Sequence, residues 1–390
     1  MNIKKIFHLG ILTFVLSAAA ICLRAEEEIN VSATVNPGNM PPIWVSLSGF
    51  TGEADSILRF DLYVQGFNFT NADNALYLIT GSNNGNLQGR VTTRANKNNP
   101  LVSKGYTGGS VVEQSHMFVD EFVTAIGRKG IARTKVAFKK DGGANSEIYV
   151  ADFDGYAGQA VTADNTIVAA PTWVPGKLAV YYTSYKLGNP NIFFHDLSSG
   201  QRHVFSRYSG LNTSAAVSPG GRVAMILSKG GSPDVYACGA DGTGLIRLTN
   251  TREDESSPCW SPDGQWICYA TKVNERRVLR KVSASGGAPQ AVPTAGVSSP
   301  TEPDWSPDGK WIAFTSQMRD FEICVVPAGG GAVTELVAGE DPSWAPNSRT
   351  LIFTRREGGK RVLSLLDVPT KQYKDVSRIT GSNSQPSWAK

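Results

Sequence analysis

The sequence predicts an α+β multidomain chain: a small N-terminal α/β domain followed by a six-bladed all-β propeller that its C-terminal strand closes. Three observations predict it. A phrase close to PxWSPDG recurs from Pro171 to Pro386 at intervals of 44, 43, 45, 39 and 44 residues between equivalent positions. After each anchor the same order of short strand-like runs follows, and such a period with several strands per unit is the mark of a propeller. Ahead of residue 133 the repeat is missing, and an amphipathic helical pattern takes its place.

Residues 1–25 read as a signal peptide. Lys4 and Lys5 precede an apolar stretch from Ile6 to Leu23, and small residues offer cleavage points at Ala18-x-Ala20 or after Ala25. An uncleaved anchor is the rival reading, because the apolar span is near the minimum for crossing a bilayer. Lys4, Lys5 and Arg24 carry three of the four net positive charges and no acid lies in this stretch, so the remainder carries +1. That near-neutral balance lacks the basic footprint of a nucleic-acid binder.

Residues 26–132 read as the α/β domain. "EINVSATV" alternates like a strand. The pattern of Ile57, Leu58, Leu62 and Val64 predicts a helix near 53–65, and "ALYLITG" and "LQGRVTTR" flank an Asn/Gly-rich turn as a hairpin. In "SVVEQSHMFVDEFVTAIG", Ser110 and Glu113 fit a capping box, Val112, Val119, Phe122 and Ile126 mark one face, and Gly127 can end the helix. The junction falls near Gly130–Thr134.

Residues 133–390 read as the propeller. In the unit that starts at Pro303, "PDW" begins a strand and "SPDG" turns the chain: proline presets φ, aspartate bonds nearby amides and glycine takes the positive φ. "KWIAFTS", "FEICVVPAGGG" and "AVTELV" supply the next three strands. At the ends of the array, "KVAFKKDG", "SEIYVADFDG" and "GQAVT" are strands two to four without a first strand, and "SQPSWAK" is a first strand without followers. Joined, they make the sixth blade, and closure removes exposed strand edges. The Trp-equivalent positions, Trp173, Val217, Trp260, Trp305, Trp344 and Trp388, recur too regularly for a stacking site and are assigned to packing between blades.

Catalytic chemistry is not evident. The exported portion has three histidines, His116, His195 and His203, without HExxH or Cys/His spacing, and each reads as a surface or packing residue. No G-x-S-x-G elbow or phosphate loop is present. No metal ligand set or cofactor site is predicted. Cys259 and Cys268 fall opposite each other if Asp263-Gly264 makes a tight turn; buried free thiols are the favoured reading and a bridge the other.

Binding is instead expected where the loops entering the innermost strands converge. The residues just before the anchors are Ala170, Ser214, Ser257, Glu302, Asp341 and Gln385, and Glu255, Thr301, Glu302, Glu340 and Asp341 make one half of this rim acidic and hydrogen-bonding.

The helix "HMFVDEFVTAIG", the junction "GIARTKVAF", the stretch "ADFDGYAGQAVT" and the six-fold PxWSPDG ring together resemble the TolB family, periplasmic components of the Tol–Pal cell-envelope system of Gram-negative bacteria. The resemblance runs from about residue 110 to the end. It implies a non-enzymatic scaffold whose propeller mouth binds a Pal-type outer-membrane lipoprotein and whose mature N-terminus engages a TolA-type inner-membrane protein. Carried onto this chain, "SSPTEPDW" points to Thr301, Glu302 and Pro303, and repeat equivalence adds Glu255, Ser256 and Ser257. Glu340, Asp341 and Gln385 join them by position at the rim. Glu28, Ile29, Asn30 and Val31 occupy the TolA-binding position. "NALYLITGSNNGNLQGRVTTR" stands where the family has a longer strand-rich stretch, which leaves the lipoprotein the better-supported partner. The alternatives are an exported propeller with another protein or small-ligand partner, or a Ca²⁺-dependent propeller hydrolase or lactonase. The hydrolase needs several oxygen ligands at the axis, and acids stand in only about two of six blades.

Overall fold

A computed structural model of the chain describes residues 37–317 and 320–390. Residues 1–25, expected to be a signal peptide, and the run 28–35, with Glu28, Ile29, Asn30 and Val31, lie outside the described residues.

The first folded element is β1 (Ile43–Ser48), followed by α1 (Gly52–Tyr63), β2 (Phe67–Phe69), β3 (Tyr77–Ser82), β4 (Leu87–Thr93), β5 (Val102–Tyr106) and α2 (Val111–Ala125). The sheet order is β2-β1-β3-β4-β5, with β1 parallel to both neighbours and the other pairs antiparallel. The two helices and the β3–β4 hairpin stand where the sequence places them. β1, β2 and β5 were not legible. Phe118 and Phe122 of α2 pack against the sheet, the Phe122 ring lying 5.3 Å from both Phe67 and Tyr77. That approach requires Gly89 on β4, where a Cβ would stand 2.5 Å from the Phe118 ring.

α2 begins as its sequence demands. Glu113 N–H donates to Ser110 Oγ at 3.2 Å and Ser110 N–H to Glu113 Oε2 at 2.7 Å, satisfying two amides that the helix itself leaves free. Ser110→Ala is expected to cost about 1 kcal/mol in a denaturant titration, the usual worth of an N-cap.

The propeller has six four-stranded antiparallel blades. Their innermost strands are Val168–Trp173 (blade I), Asn212–Val217 (II), Ser256–Trp260 (III), Pro300–Trp305 (IV), Glu340–Trp344 (V) and Ser382–Trp388 (VI). Blade VI is composite: Ser382–Trp388 pairs with Lys135–Asp141, which is followed by Ser146–Asp152 and Gln159–Ala160, and Trp388 stands opposite Val136. The SPDG turn works by the predicted chemistry. Gln265 N–H donates to Asp263 Oδ1 at 3.0 Å, Trp266 N–H to Ser261 Oγ at 2.9 Å, and Gly264 has φ +68°.

The repeated tryptophans are buried at the blade seams. Trp260 and Trp344 donate their indole N–H to Ala216 O and Asp304 O of the preceding blades, at 3.0 and 3.1 Å. Trp388 stacks near Phe153, which also meets Phe60 of α1, so one apolar core runs from the N-terminal helices into the ring. Cys259 and Cys268 face each other in register as free, buried thiols, as do no other described cysteines; burial pushes the Cys259 thiol well above its ordinary pKa.

Candidate functional site: the propeller channel

Each innermost strand slips by one register against its neighbour, at the two residues that stand three and two positions before the Trp position. The slip is a β-bulge, and its chemistry is visible in the repeat. Five of the six anchors carry a proline there, Pro171, Pro258, Pro303, Pro342 and Pro386, and a bulge is where a strand tolerates the missing N–H. The residue before each anchor takes a left-handed backbone: Ala170 (φ 50°), Ser214 (54°), Ser257 (51°), Glu302 (53°), Asp341 (57°) and Gln385 (51°). A left-handed residue with a Cβ costs roughly 1–2 kcal/mol. Six at equivalent positions mean that the ring as a whole holds this geometry.

These six residues line one cavity of about 650 Å³ on the propeller axis, together with the prolines and tryptophans of the anchors. The volume falls in the usual range of ligand sites, which are concave and largely apolar with a few placed polar groups. Half of the ring is tied by its own side chains. Glu302 Oε2 accepts from Asp341 N–H at 3.1 Å and from Thr315 Oγ at 2.6 Å. Asp341 Oδ2 accepts from Gln385 N–H at 3.0 Å and Thr354 Oγ at 3.1 Å, and Gln385 Oε1 accepts from Ala170 N–H at 2.9 Å. Blades IV, V, VI and I are thereby linked edge to edge. The other bulge residues, Ala170, Ser214 and Ser257, carry no carboxylate or amide side chain to continue this chain of bonds.

Burial, reinforced by the nearby Glu302 carboxylate, pushes the Asp341 pKa up to about 8. At neutral pH the carboxyl is therefore largely protonated and the rim less anionic than its composition suggests.

The predicted rim residues separate into two groups. Ser257, Glu302, Pro303, Asp341 and Gln385 line the cavity; Glu255, Ser256, Thr301 and Glu340 do not. Glu255 is buried in a knot with Thr249 and Thr251, its Oε1 accepting from Thr251 Oγ at 2.9 Å, and burial pushes its pKa up to about 7. Glu340 is neutralised by Arg356 and Arg361 at 2.9 and 3.0 Å. Of the residues expected to make half of the rim acidic and hydrogen-bonding, only Glu302 and Asp341 therefore reach the cavity, because Glu255 is held by Thr249 and Thr251 and Glu340 by Arg356 and Arg361. Of the two readings of His116, surface or packing residue, burial leaves the packing one. It is buried, with Nε2 3.3 Å from Asp154 and 3.7 Å from Asp61. What sequence reasoning missed was the left-handed ring, whose only signal was the residue-proline step at five of the six anchors.

Comparisons with known proteins now bear on this geometry. The family model described as the TolB beta propeller domain matches residues 122–390. Among curated proteins, the chain is similar to the Tol-Pal system protein TolB of Desulfosudis oleivorans, 31% identical over 159 residues, covering 40% of this chain and 36% of that protein. The same-named protein of Anaeromyxobacter sp. (strain K) is 30% identical over 154 residues, covering 39% and 36%. The alignments thus span little more than a third of the curated relatives' length. Among solved structures, TolB from Acinetobacter baumannii superposes with a TM-score of 0.79 at 20% identity, covering 91% of this chain and 98% of that one. A chain of a nidogen/laminin complex reaches 0.54 at 11% identity over 66% of this chain. At such identities the likeness concerns the fold.

Proposed function

Because the chain belongs to the TolB β-propeller domain family, we propose that it is a non-enzymatic periplasmic scaffold of a Tol–Pal system. In this reading the propeller mouth binds a Pal-type outer-membrane lipoprotein, and the mature N-terminus connects the scaffold to the inner-membrane Tol complex, in support of envelope integrity and cell division. The observation that carries it is the single axial cavity lined by equivalent residues of all six blades. Such a surface suits an inserted partner segment. Prolines and tryptophans give apolar contact area, and a few fixed polar groups give register.

Ser257, Glu302, Pro303, Asp341 and Gln385 form the contact surface in this proposal. Ser256, Thr301 and Glu340 support it from the same innermost strands and Glu255 from the residue just before one of them, and Glu28, Ile29, Asn30 and Val31 engage a TolA-type protein. Two features disfavour a Ca²⁺-dependent hydrolase at the same mouth. The Glu302 and Asp341 carboxylates already accept protein hydrogen bonds, and Asp341 holds its proton near neutral pH.

The test is calorimetric titration of the purified protein with the soluble domain of the Pal-type lipoprotein from the same organism. Saturable one-to-one binding is expected. Glu302→Lys should weaken it at least about tenfold, or about 1.4 kcal/mol. Glu302→Gln, which keeps an acceptor for Asp341 N–H and Thr315, separates charge from local packing. Unchanged affinity in Glu302→Lys removes Glu302 from the contact, and no binding at high micromolar concentration removes the lipoprotein as partner.

A further inference from the structure

Away from the channel, where the N-terminal helices meet blade VI, three side chains distant in sequence converge. Asp61 comes from α1, His116 from α2 and Asp154 from the turn after Ser146–Asp152, and they are 0%, 3% and 1% exposed. His116 Nε2 lies 3.3 Å from Asp154 Oδ2 and 3.7 Å from Asp61 Oδ2. One donor atom from each residue lies within 4.8 Å of the others.

Asp154 is otherwise supported: Tyr156 N–H donates to its Oδ1 at 3.4 Å, and Arg378 Nη1 stands 3.8 Å from its Oδ2. Asp61 is not. Both of its carboxylate oxygens are buried without a hydrogen-bond partner. Leaving such a group unmet is costly, because water no longer solvates it and nothing replaces the water. The one N–H that His116 Nε2 can carry reaches Asp154 first and cannot serve both acids.

We propose that Asp61, His116 and Asp154 supply three ligands of a buried binding site for a divalent transition cation of the zinc class, which staples the N-terminal domain to the propeller. A tetrahedral centre with bonds of about 2.0–2.1 Å places its ligand atoms about 3.3–3.4 Å apart. The separations of 3.3 and 3.7 Å stand close to that edge. One imidazole with two carboxylates suits such an ion, whereas Ca²⁺ and Mg²⁺ take six or more oxygens. Two positive charges balance the two carboxylates, and the cation takes the place of the proton on Nε2. Arg378 then acts from outside the ligand set, holding the Asp154 carboxylate in position. The Phe153 ring, 5.7 Å from the imidazole, closes the apolar side. With no ligand more than 3% exposed, loading accompanies folding.

The experiment is to refold the purified protein with and without Zn²⁺, desalt it, count bound metal by mass spectrometry and record thermal unfolding. About one retained zinc per chain and a raised midpoint are expected, since a ligand bound only by the folded state stabilises it. Asp61→Asn, nearly isosteric, and His116→Gln should each retain at least about tenfold less zinc. The His195→Ala/His203→Ala double variant should retain it fully. Refolding with Co²⁺ should give the visible absorption of a tetrahedral site in the native protein and none in His116→Gln, a signal that general destabilisation does not mimic. Wild-type protein that retains no zinc overturns the proposal, as does Asp61→Asn that retains as much as wild type. If no zinc is retained and Asp61→Asn raises the midpoint, a proton on Asp61 fills the cluster instead.

Discussion

Deletion of Gln385–Lys390 is expected to lower the thermal midpoint by about ten degrees or more, or to prevent folding, because it opens the ring. Trp388 is 1% exposed, its backbone N–H donates to Ser343 Oγ of blade V at 3.1 Å, and its indole N–H to Thr134 Oγ at 2.8 Å. Truncation of a buried aromatic of this size alone costs about 3–5 kcal/mol, which is the effect expected of Trp388→Ala. The deletion also removes the partners of Val136 and Ala137 and leaves that end of Lys135–Asp141 an unpaired edge. Circular dichroism melts of the native, substituted and truncated chains measure the series. In a chain this long each kcal/mol moves the midpoint by only about 2 °C, so a shift under about 2 °C for the deletion would mean that this strand does not close the propeller.

A second large effect follows from pH. Asp341 is held protonated in the folded state by burial first and by Glu302 second, with its pKa moved from 3.8 to about 8. A carboxyl that binds its proton more tightly when folded contributes stability fully below its unfolded pKa and loses it as pH rises through the folded one. Stability should therefore decline between about pH 4 and pH 8, at up to about 1.4 kcal/mol per pH unit for one such group. Glu255, raised from 4.5 to about 7 by burial, acts in the same direction over the lower part of that window. Asp341→Asn removes the ionisation, keeps a carbonyl oxygen for Gln385 N–H, and places at φ 57° one of the few residue types that tolerate the left-handed region. Urea titrations at pH 4, 6 and 8 should show the variant close to wild type at pH 4, more stable at pH 8 and flatter in between. A variant less stable than wild type at pH 8 would mean that the ionised carboxylate's hydrogen bonds outweigh its desolvation.

The parts of this molecule that were legible in the sequence are those in which one local rule decides the outcome. Each blade must bury one large side chain at its seam, so the Trp spacing gave the blade count even through Val217, where the ring substitutes a smaller residue. Ser110 and Glu113 announced their helix because both capping partners lie within one turn. β5 escaped notice because "VSKGY" is an edge strand exposed at its three central positions and carries no alternation. At the channel, position next to an anchor identified the loop, while the direction of each side chain depended on a bulge that no residue type specifies by itself. Glu302 and Asp341 therefore reach the cavity while Glu255 and Glu340 do not. The Asp61–His116–Asp154 cluster was illegible for a different reason. Its members come from three elements that only tertiary packing brings together, and the helical pattern of α2 marks His116 as near the core without saying what waits there.

The composite blade also sets an order of events. Trp388 pairs with Val136 across about 250 residues of chain, while blades I–V each close through hairpins between neighbouring strands. Contacts of such long sequence separation form late, because the loop between them must be closed before they contribute anything. During synthesis the strand Lys135–Asp141 is among the first of the propeller to emerge and, on its inner side, the last to find its partner. Until then it presents an open edge, the form in which β proteins misassemble. Ring closure thus waits on Ser382–Trp388: a chain that lacks this segment keeps an unpaired edge on Lys135–Asp141.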